Sequence, residues 1–342
     1  MNRITKSFTR SLLNWYAKHG RKDLPWQNPY IDYRVWLSEI MLQQTQVKTV
    51  IPYFLRFIVR YPDIHHLAHA SLDDVLALWS GLGYYSRARN LHRTAQIIVS
   101  QYQGAFPQDL LQLQQLPGIG PSTAAAIASL AFEQPTAILD GNVKRVISRY
   151  FLCSGSDKVL WQQAQACMPK TQCRSYTQAI MDMGATCCTH KQPQCVRCPL
   201  STHCQAFLQD VIQDYPLKKP QKVRPIRQEQ FLLLHTPERL IYLEQRPAKG
   251  IWGGLWCMPN LDNDACARTH LMQHYGLDPQ TITPLTSFKH SFTHFHLHIT
   301  AYSIQTAYIA SMPGQWVSEE KLETLGLAKP VKKIIACFFK AS

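Results

Sequence analysis

Long apolar segments dominate the first 210 residues, and their texture is that of buried helices. The segment from Val35 to Val47 is apolar at most of its positions, which predicts a largely buried helix. Ser71 followed by Leu and two Asp residues is typical of a helix start, and Pro121 stands where the first position of a helix tolerates proline. Few strand patterns occur here. We therefore predict an all-helical unit over residues 1–210.

The pattern changes after residue 213. Residues 214–228 are rich in Pro and Lys and show no apolar periodicity, which predicts a linker. A second, α+β domain is predicted for residues 229–342. Its strand patterns cover 230–235, 240–246 and 292–300, and its helical pattern covers 266–275.

The distribution of charge indicates the kind of partner. The chain of 342 residues has a formal net charge of +14, and residues 1–210 hold 21 Lys and Arg against 12 Asp and Glu. A basic excess in one part of a chain favours a polyanion as the partner of that part. A role in solubility alone is the alternative that charge leaves open.

No apolar run approaches the length that spans a membrane, and the first residues lack the apolar stretch of a signal peptide. These features predict a protein of the reducing cytoplasm without a membrane partner. The 11 cysteines are accordingly not expected to form disulfides.

Four cysteines are close enough in sequence to surround one metal centre. Cys188, Cys195, Cys198 and Cys204 have the spacing C-x6-C-x2-C-x5-C. Thiolates at such a spacing bind iron–sulfur clusters or zinc, and the spacing alone does not select between them. The neighbouring Cys187 is either an alternative ligand or a buried side chain.

A glycine-rich turn and an aspartate each stand at the start of a predicted helix. Gly118 and Gly120 form a Gly-x-Gly turn that opens into an Ala-rich helix, where backbone N–H groups can approach a phosphate. Twenty residues later, Asp140 stands at the start of another helix, where an ionised carboxylate is favoured. An ordinary turn and an ordinary N-cap are the alternatives.

Taken together, these motifs resemble the helix-hairpin-helix glycosylases of the endonuclease III superfamily, and within it the MutY family of adenine glycosylases. The resemblance covers nearly the whole chain and favours a [4Fe–4S] cluster over zinc. It implies a multi-domain protein with an all-α helix-hairpin-helix glycosylase domain and its cluster loop, followed by an α+β Nudix-like domain. The implied boundaries are 1–213 (a six-helix lobe at about 28–136 and a cluster lobe of 1–27 plus 137–213), the linker 214–228, and 229–342.

Two carboxylates are the predicted catalytic groups. Glu39 lies in an apolar run that should raise its pKa and keep it protonated as an acid. Asp140 would stabilise positive charge on the sugar, with Asn142 as its orienting partner. At the position of the lysine that gives lyase relatives their Schiff base, this chain has Ser122. A hydrolytic, monofunctional glycosylase is therefore expected, with Lys144 reacting only adventitiously.

The resemblance also implies contacts with DNA and with the extruded base. Gln43 and Gln44 would fill the gap left in the duplex, and Tyr84 would be a wedge beside the opposing base, with a core tyrosine as the alternative. The complete predicted DNA-binding set is Gln43, Gln44, Tyr84, Gly118, Gly120 and Ser122. The predicted adenine pocket consists of Arg21, Trp26 and Gln178.

The second domain resembles Nudix domains but lacks their acidic helix, because residues 269–276 contain no carboxylate. No pyrophosphatase activity is expected. Phe292, Thr293 and His294 match a family loop that reads 8-oxoguanine, with Thr in place of Ser. An alternative is that His290, His294, His296 and His298 form one polar strand face or a metal site.

The function that these features predict is removal of adenine mispaired with 8-oxoguanine or guanine during base excision repair. The expected partner is double-stranded DNA with mismatched or oxidised base pairs, bound by a monomer at the bacterial nucleoid. The alternatives are a bifunctional or thymine-mismatch glycosylase of the same superfamily, and a non-catalytic iron–sulfur DNA-binding protein.

Overall fold

The computed structural model describes residues 3–217, 223–261, 266–310 and 312–340. The chain forms two compact units, Met1–His69 with Asn90–Pro220, and Ala70–Arg89 with Gln221–Ser342. Part of the predicted linker 214–228 lies outside the described residues, and its last residues belong to a strand that begins at Ile226.

The first unit is helical throughout its described residues, as predicted. Short 3₁₀ and π turns join its later helices. The α-helices that lie in it wholly or in part are α1 (Arg3–His19), α2 (Asp32–Leu42), α3 (Val47–Arg60), α4 (Ile64–His69), α6 (Ser86–Tyr102), α7 (Leu110–Gln115), α8 (Pro121–Phe132), α9 (Gly141–Phe151), α10 (Asp157–Cys167), α11 (Cys173–Asp182) and α12 (Gln205–Leu208).

Side-chain caps and proline define several of these helix starts. Pro121 is the first residue of α8, and the Asp140 carboxylate accepts the N–H of Val143 at 2.7 Å to cap α9. The prediction of one helix from Val35 to Val47 was wrong, because α2 ends at Leu42 and α3 begins only at Val47. Between them Gln44 has φ = 57°, a left-handed conformation that an α-helix cannot contain.

Apolar side chains from distant segments form the core of the first unit. α1 contributes Phe8 and Leu12, and α8 contributes a buried run of small residues that includes Ala125 and Ala126. Because alanines occupy little space, α8 can pack closely against both α2 and α11. Ser122 and Asp140, at the starts of α8 and α9, line the same cavity as Glu39 on α2.

The second unit contains a mixed sheet with helices packed on it. The strand order is β3-β2-β1-β6-β5, with β4 beside β1 and β7 beside β2. Its elements are α5 (Leu72–Trp79), β1 (Ile226–His235), β2 (Ile241–Gln245), β3 (Trp256–Cys257), β4 (Asn260–Leu261), α13 (Ala267–Tyr275), β5 (Thr283–Ser291), β6 (His296–Gln305), β7 (Gln315–Val317) and α14 (Lys329–Lys340). Ser71 caps α5 through the N–H of Asp74, as its sequence predicts.

The strand predicted over 292–300 was wrong at its beginning. β6 begins only at His296, and the residues from Phe292 to Phe295 form the turn that joins it to β5. The alternative of one strand face shared by four histidines is also wrong. Only His296 and His298 share a face of β6; His290 on β5 pairs with Leu297 and points to the other face, and His294 lies in the turn.

Among the described residues, no helix has both the length and the apolar character required to span a membrane.

Candidate active site

A cavity of about 1060 Å³ opens between α2, α8, α9 and α11 in the first unit. It brings together residues that are far apart in sequence. The predicted site residues in its lining are Arg21, Trp26, Glu39, Gln43, Gln44, Ser122, Asp140, Asn142 and Gln178. Gly118 and Gly120, the glycines of the Gly-x-Gly turn, do not line it.

Glu39 extends from α2 into this cavity between apolar neighbours. Leu24, Trp26 and Ile138 belong to the same wall, while the residues on either side of Glu39 in the helix are buried. Removal from bulk water, followed by the nearby charge of Asp140, raises the pKa of Glu39 from 4.5 to about 7. Near neutral pH the carboxyl group can therefore hold a proton to donate.

Asp140 faces the same cavity from the start of α9, but hydrogen bonds surround its carboxylate. It accepts bonds from the Val143 N–H at 2.7 Å and from the Asn142 side chain at 3.2 Å. Burial raises the pKa of Asp140, and these hydrogen bonds with the charge of Arg145 act in the opposite direction. The two carboxyl groups therefore have different environments, as an acid and a charge-stabilising partner require.

Side-chain hydrogen bonds connect the Gly118–Gly120 turn and the start of α8 to residues that line the cavity. The Gln43 amide donates to the Gly118 carbonyl at 3.2 Å and to the Thr123 hydroxyl at 3.1 Å. Gly118 has φ = 79°, and a Cβ there would approach Cβ of Asn90 to 2.9 Å, so both conformation and space favour glycine. The Ser122 hydroxyl accepts the Leu139 N–H at 3.2 Å, which fixes the segment just before Asp140.

Asp182 accepts hydrogen bonds from two residues of the predicted adenine pocket. Its side chain is only 1% exposed. It accepts hydrogen bonds from the Arg21 backbone at 2.8 Å, from the Arg21 guanidinium at 3.0 and 2.6 Å, and from the Gln178 amide at 2.8 Å. These bonds fix the directions in which Arg21 and Gln178 present their remaining donors to the cavity.

Arg145, one turn into α9, links the cavity to the cysteine loop. Its guanidinium donates to the Asn142 side-chain oxygen at 2.8 Å, to the Gly184 carbonyl at 2.5 Å and to the Cys188 carbonyl at 2.6 Å. Because Asn142 in turn bonds to Asp140, a continuous chain of hydrogen bonds joins Cys188 to the predicted catalytic carboxylate.

The predicted cluster ligands surround a small cavity of their own, of about 30 Å³. All 11 cysteines of the chain are free thiols. Arg149 crosses this cavity and donates to the Cys188 sulfur at 3.5 Å and to the Thr189 carbonyl at 2.8 Å. The lining is rich in soft sulfur atoms, and its described residues include no carboxylate or imidazole, a composition that fits iron–sulfur ligation. The described residues hold no group of three potential ligands in the geometry of a single metal ion.

A separate cavity of about 580 Å³ lies in the second unit and brings Tyr84 to the turn at residues 292–295. The Tyr84 hydroxyl and the Thr293 hydroxyl are 2.5 Å apart. Arg87 stacks on the Tyr84 ring, 5.3 Å from its centroid, which holds the ring in place. Phe292 packs on Phe295 with ring centroids 4.4 Å apart. The tyrosine is 39% exposed, so it is not a core residue.

Comparison with known proteins agrees with this geometry. Residues 37–168 match the HhH-GPD superfamily of base excision DNA repair proteins, and residues 230–337 match the NUDIX domain. An adenine DNA glycosylase of Buchnera aphidicola subsp. Acyrthosiphon pisum (strain APS) is 41% identical over 97% of this chain and 98% of that protein. The chain belongs to the adenine DNA glycosylase family.

More distant relatives extend the agreement. The adenine DNA glycosylase of Rattus norvegicus is 33% identical over 97% of this chain and 78% of its own length. A solved structure of a thermostable thymine-DNA glycosylase has a TM-score of 0.57 and 28% identity, covering 61% of this chain and 98% of that one. The predicted family and fold class are confirmed, and the chain is a DNA glycosylase. The roles of its individual residues remain predictions.

Two residues that hydrogen-bond to the cavity lining were not predicted from the sequence. Arg145 and Asp182 bear on the site through side-chain hydrogen bonds between segments distant in sequence, and no local pattern marks them. Asp182 gave one signal, since an aspartate within an apolar helical segment needs a buried partner.

The raised pKa of Glu39 predicts an alkaline limit to activity. With protonated Glu39 as the predicted donor, the single-turnover rate of base release should fall about tenfold per pH unit above about pH 7. Glu39→Gln should lower the rate by about 10²-fold or more. Glu133→Gln removes the other glutamate of residues 1–210 and should keep the wild-type profile. A wild-type rate that does not change across neutral pH would contradict this role.

Loss of Asp182 should destabilise the first unit. Asp182→Ala leaves Arg21 and Gln178 without their buried acceptor, and we expect a loss of about 2 to 3 kcal/mol in the free energy of unfolding in urea. Asp157→Ala is the matched control, because its ion pair with Lys144 is exposed and should contribute below about 1 kcal/mol. Equal effects of the two substitutions would show that the buried network is not a stabilising one.

Proposed function

We propose that this chain hydrolyses the N-glycosidic bond of adenine mispaired with 8-oxoguanine or guanine in double-stranded DNA, as a monofunctional enzyme acting as a monomer. The observation that carries the proposal is a single cavity in which a carboxyl group with a pKa of about 7 faces a hydrogen-bonded carboxylate. This pair supplies an acid and a charge partner, which glycosidic cleavage requires.

The reaction requires an extruded base, because the glycosidic bond is inaccessible within a base stack. The cavity is large enough to hold a purine, and Trp26 in its wall is an apolar surface for the ring. Arg21 and Gln178, held by Asp182, are the donors and acceptors that would select adenine. Gln43 and Gln44 lie at the mouth formed by the turn after α2.

The two carboxyl groups have separate roles in the proposed reaction. Glu39 donates its proton to the departing adenine at N7, so that the base leaves neutral rather than as an anion. Asp140 stabilises the positive charge that develops on the deoxyribose, with Asn142 holding one of its oxygens. Water then adds to the sugar carbon and gives up a proton to the Glu39 carboxylate, which restores the acid, and the products are free adenine and an abasic site.

Ser122 supports hydrolysis rather than strand cleavage. Its hydroxyl is engaged with the Leu139 N–H, and a neutral hydroxyl cannot form the Schiff base that a lyase needs. Lys144 makes an ion pair with Asp157 at 2.7 Å, which occupies its amine away from the cavity lining.

Cys188, Cys195, Cys198 and Cys204 would hold a [4Fe–4S] cluster, which would cross-link the loop between residues 188 and 204. Arg149 bonds to the Cys188 sulfur and to carbonyls of this loop, and guanidinium groups of this kind offset the negative charge that such a cluster carries. Arg145 donates hydrogen bonds both to the Cys188 carbonyl of this loop and to the Asn142 side chain. Support for a cluster comes from the sulfur-rich cavity.

The second unit would read the base opposite adenine. Tyr84 and Thr293 present adjacent hydroxyls in one cavity, with Phe292 and His294 beside them. Two hydroxyls and an imidazole can recognise the added oxygen and N–H of 8-oxoguanine through hydrogen bonds. The helix α13 has no carboxylate, so nucleotide pyrophosphatase activity is not proposed.

The decisive experiment is single-turnover cleavage of duplexes with adenine opposite 8-oxoguanine or guanine, with and without alkali. We expect alkali-dependent strand cleavage, and a loss of about 10²-fold or more in Asp140→Asn. Asp157→Asn is the control that should retain full rate. Cleavage without alkali would indicate a lyase. Release of thymine instead of adenine would indicate a thymine-mismatch glycosylase. Binding of the duplex without cleavage would indicate a non-catalytic DNA-binding protein.

A second prediction concerns the opposing base. Thr293→Val keeps the shape of the side chain but removes the hydroxyl that meets Tyr84, so the preference for 8-oxoguanine over guanine should fall about tenfold, mainly through slower cleavage opposite 8-oxoguanine. Tyr84→Phe should have the same effect, whereas Thr283→Val on the exposed part of β5 should have none. An unchanged rate ratio in both Thr293→Val and Tyr84→Phe would exclude this role.

A further inference from the structure

Arg87 is a buried cation in the second unit. The residue is only 7% exposed, and its guanidinium carbon lies over two aromatic rings. The distances to the ring centroids are 5.4 Å for Trp79 and 5.3 Å for Tyr84. Burial lowers the pKa of Arg87 to about 10, so the group keeps its charge at neutral pH. The faces of the two rings therefore stabilise a positive charge that is largely removed from water.

The burial of Arg87 separates it from the ordinary use of a basic side chain in a DNA-binding protein, which is contact with a phosphate. A side chain with so little exposed surface cannot reach a phosphate on a bound duplex. Arg93, six residues later on α6, is exposed. The charge of Arg87 is used inside the protein instead.

The backbone next to Arg87 has an uncommon conformation. Gly83 has φ = 78° and Tyr84 has φ = 50°, and the left-handed region is unfavourable for a tyrosine unless neighbouring contacts hold it there. The Gly83 carbonyl accepts hydrogen bonds from the Trp79 indole at 3.1 Å and from the Arg87 guanidinium at 3.2 Å. The Arg87 backbone N–H donates to the Tyr84 carbonyl at 2.8 Å. Arg87 thus bonds to the carbonyls on both sides of Tyr84.

These contacts determine where the Tyr84 hydroxyl lies. Arg87 fixes the backbone of Tyr84 through two carbonyls and fixes its ring through stacking. The hydroxyl at the far end of that ring is 2.5 Å from the Thr293 hydroxyl. Because the side chain is rigid beyond two torsions, a change in the backbone at Tyr84 would move its hydroxyl away from Thr293.

We propose that Arg87 is a positioning residue that sets the preference for the base opposite adenine by holding Tyr84 in its left-handed conformation. The inference rests on the opposing-base role of Tyr84 and Thr293 in the proposed function. A planar guanidinium can stack on rings and donate to a carbonyl at the same time, which the compact ammonium of lysine cannot reproduce. Arg87→Lys should therefore lose the positioning while keeping the charge.

The test measures single-turnover release of adenine by full-length protein from duplexes with adenine opposite 8-oxoguanine and opposite guanine. The ratio of the two rates does not depend on the fraction of folded protein in a preparation. Arg87→Lys and Arg87→Met should both lower this ratio several-fold, mainly through slower release opposite 8-oxoguanine. Arg93→Lys on the same helix is the matched control and should keep the wild-type ratio.

Two further measurements distinguish positioning from other roles. In a Tyr84→Ala background, Arg87→Lys should cause no additional fall in the ratio, because Arg87 acts through Tyr84. The salt dependence of duplex binding should be the same in Arg87→Met and wild type, whereas the loss of a phosphate contact would reduce the slope of log K against log salt by about 1.

Gly83→Ala tests the same conformation without changing Arg87, should the Arg87 variants fail to fold. A Cβ at Gly83 would meet no atom within 4 Å, so the substitution acts only through the backbone preference at φ = 78°. The ratio should fall in this variant also, and an unchanged ratio would contradict the importance of the left-handed backbone.

An unchanged ratio in both Arg87→Lys and Arg87→Met would overturn the inference. A further fall in the Tyr84→Ala background, or a reduced salt slope in Arg87→Met, would overturn it as well. A wild-type protein that releases no adenine, or a Tyr84→Ala variant with the wild-type ratio, would overturn the proposed function instead.

Discussion

The hydrogen bonds that fix helix α9 are the constraint on which the first unit depends. Within three turns this helix carries Asp140 at its N-cap, Asn142 in its first turn, and then Arg145 and Arg149, whose guanidinium groups bond to carbonyl oxygens of other segments. A planar guanidinium with five donors can satisfy several acceptors at fixed angles. One helix therefore positions both the predicted catalytic carboxylate and the cysteine loop, and Arg145 bonds to the segments on either side.

The cavity gives two similar carboxyl groups different environments. Glu39 comes from the middle of a buried helix and is surrounded mainly by apolar side chains, so desolvation dominates its pKa. Asp140 stands at a helix start, where N–H groups and an amide point toward it and counteract the same desolvation. The contrast arises from backbone placement, and it suits the proton donor and the anionic partner that the proposed mechanism requires.

The second unit combines the sheet of a NUDIX domain with a hydroxyl-bearing turn at residues 292–295. The parallel pairing of β1 with β6 and the antiparallel pairing of β5 with β6 hold the turn at residues 292–295 at one end of the sheet. Residues 70–89 group with this unit, and they bring Tyr84, in a left-handed conformation at φ = 50°, to Thr293. This placement supports the recognition role that is proposed for the turn.

The sequence by itself determined the family, the helical and α+β organisation, the four-cysteine spacing, and the positions of Glu39 and Asp140, because each has a local pattern of spacing, capping or apolar flanks. It did not determine where α2 ends, since the left-handed Gln44 has no marker in composition. Nor did it determine that only His296 and His298 share a face, because the turn at residues 292–295 interrupts the alternation of side chains between β5 and β6. Only the tertiary structure decided that Arg145 and Asp182 serve the cavity and that Tyr84 meets Thr293. These are contacts between residues distant in sequence, formed by packing that no local pattern encodes.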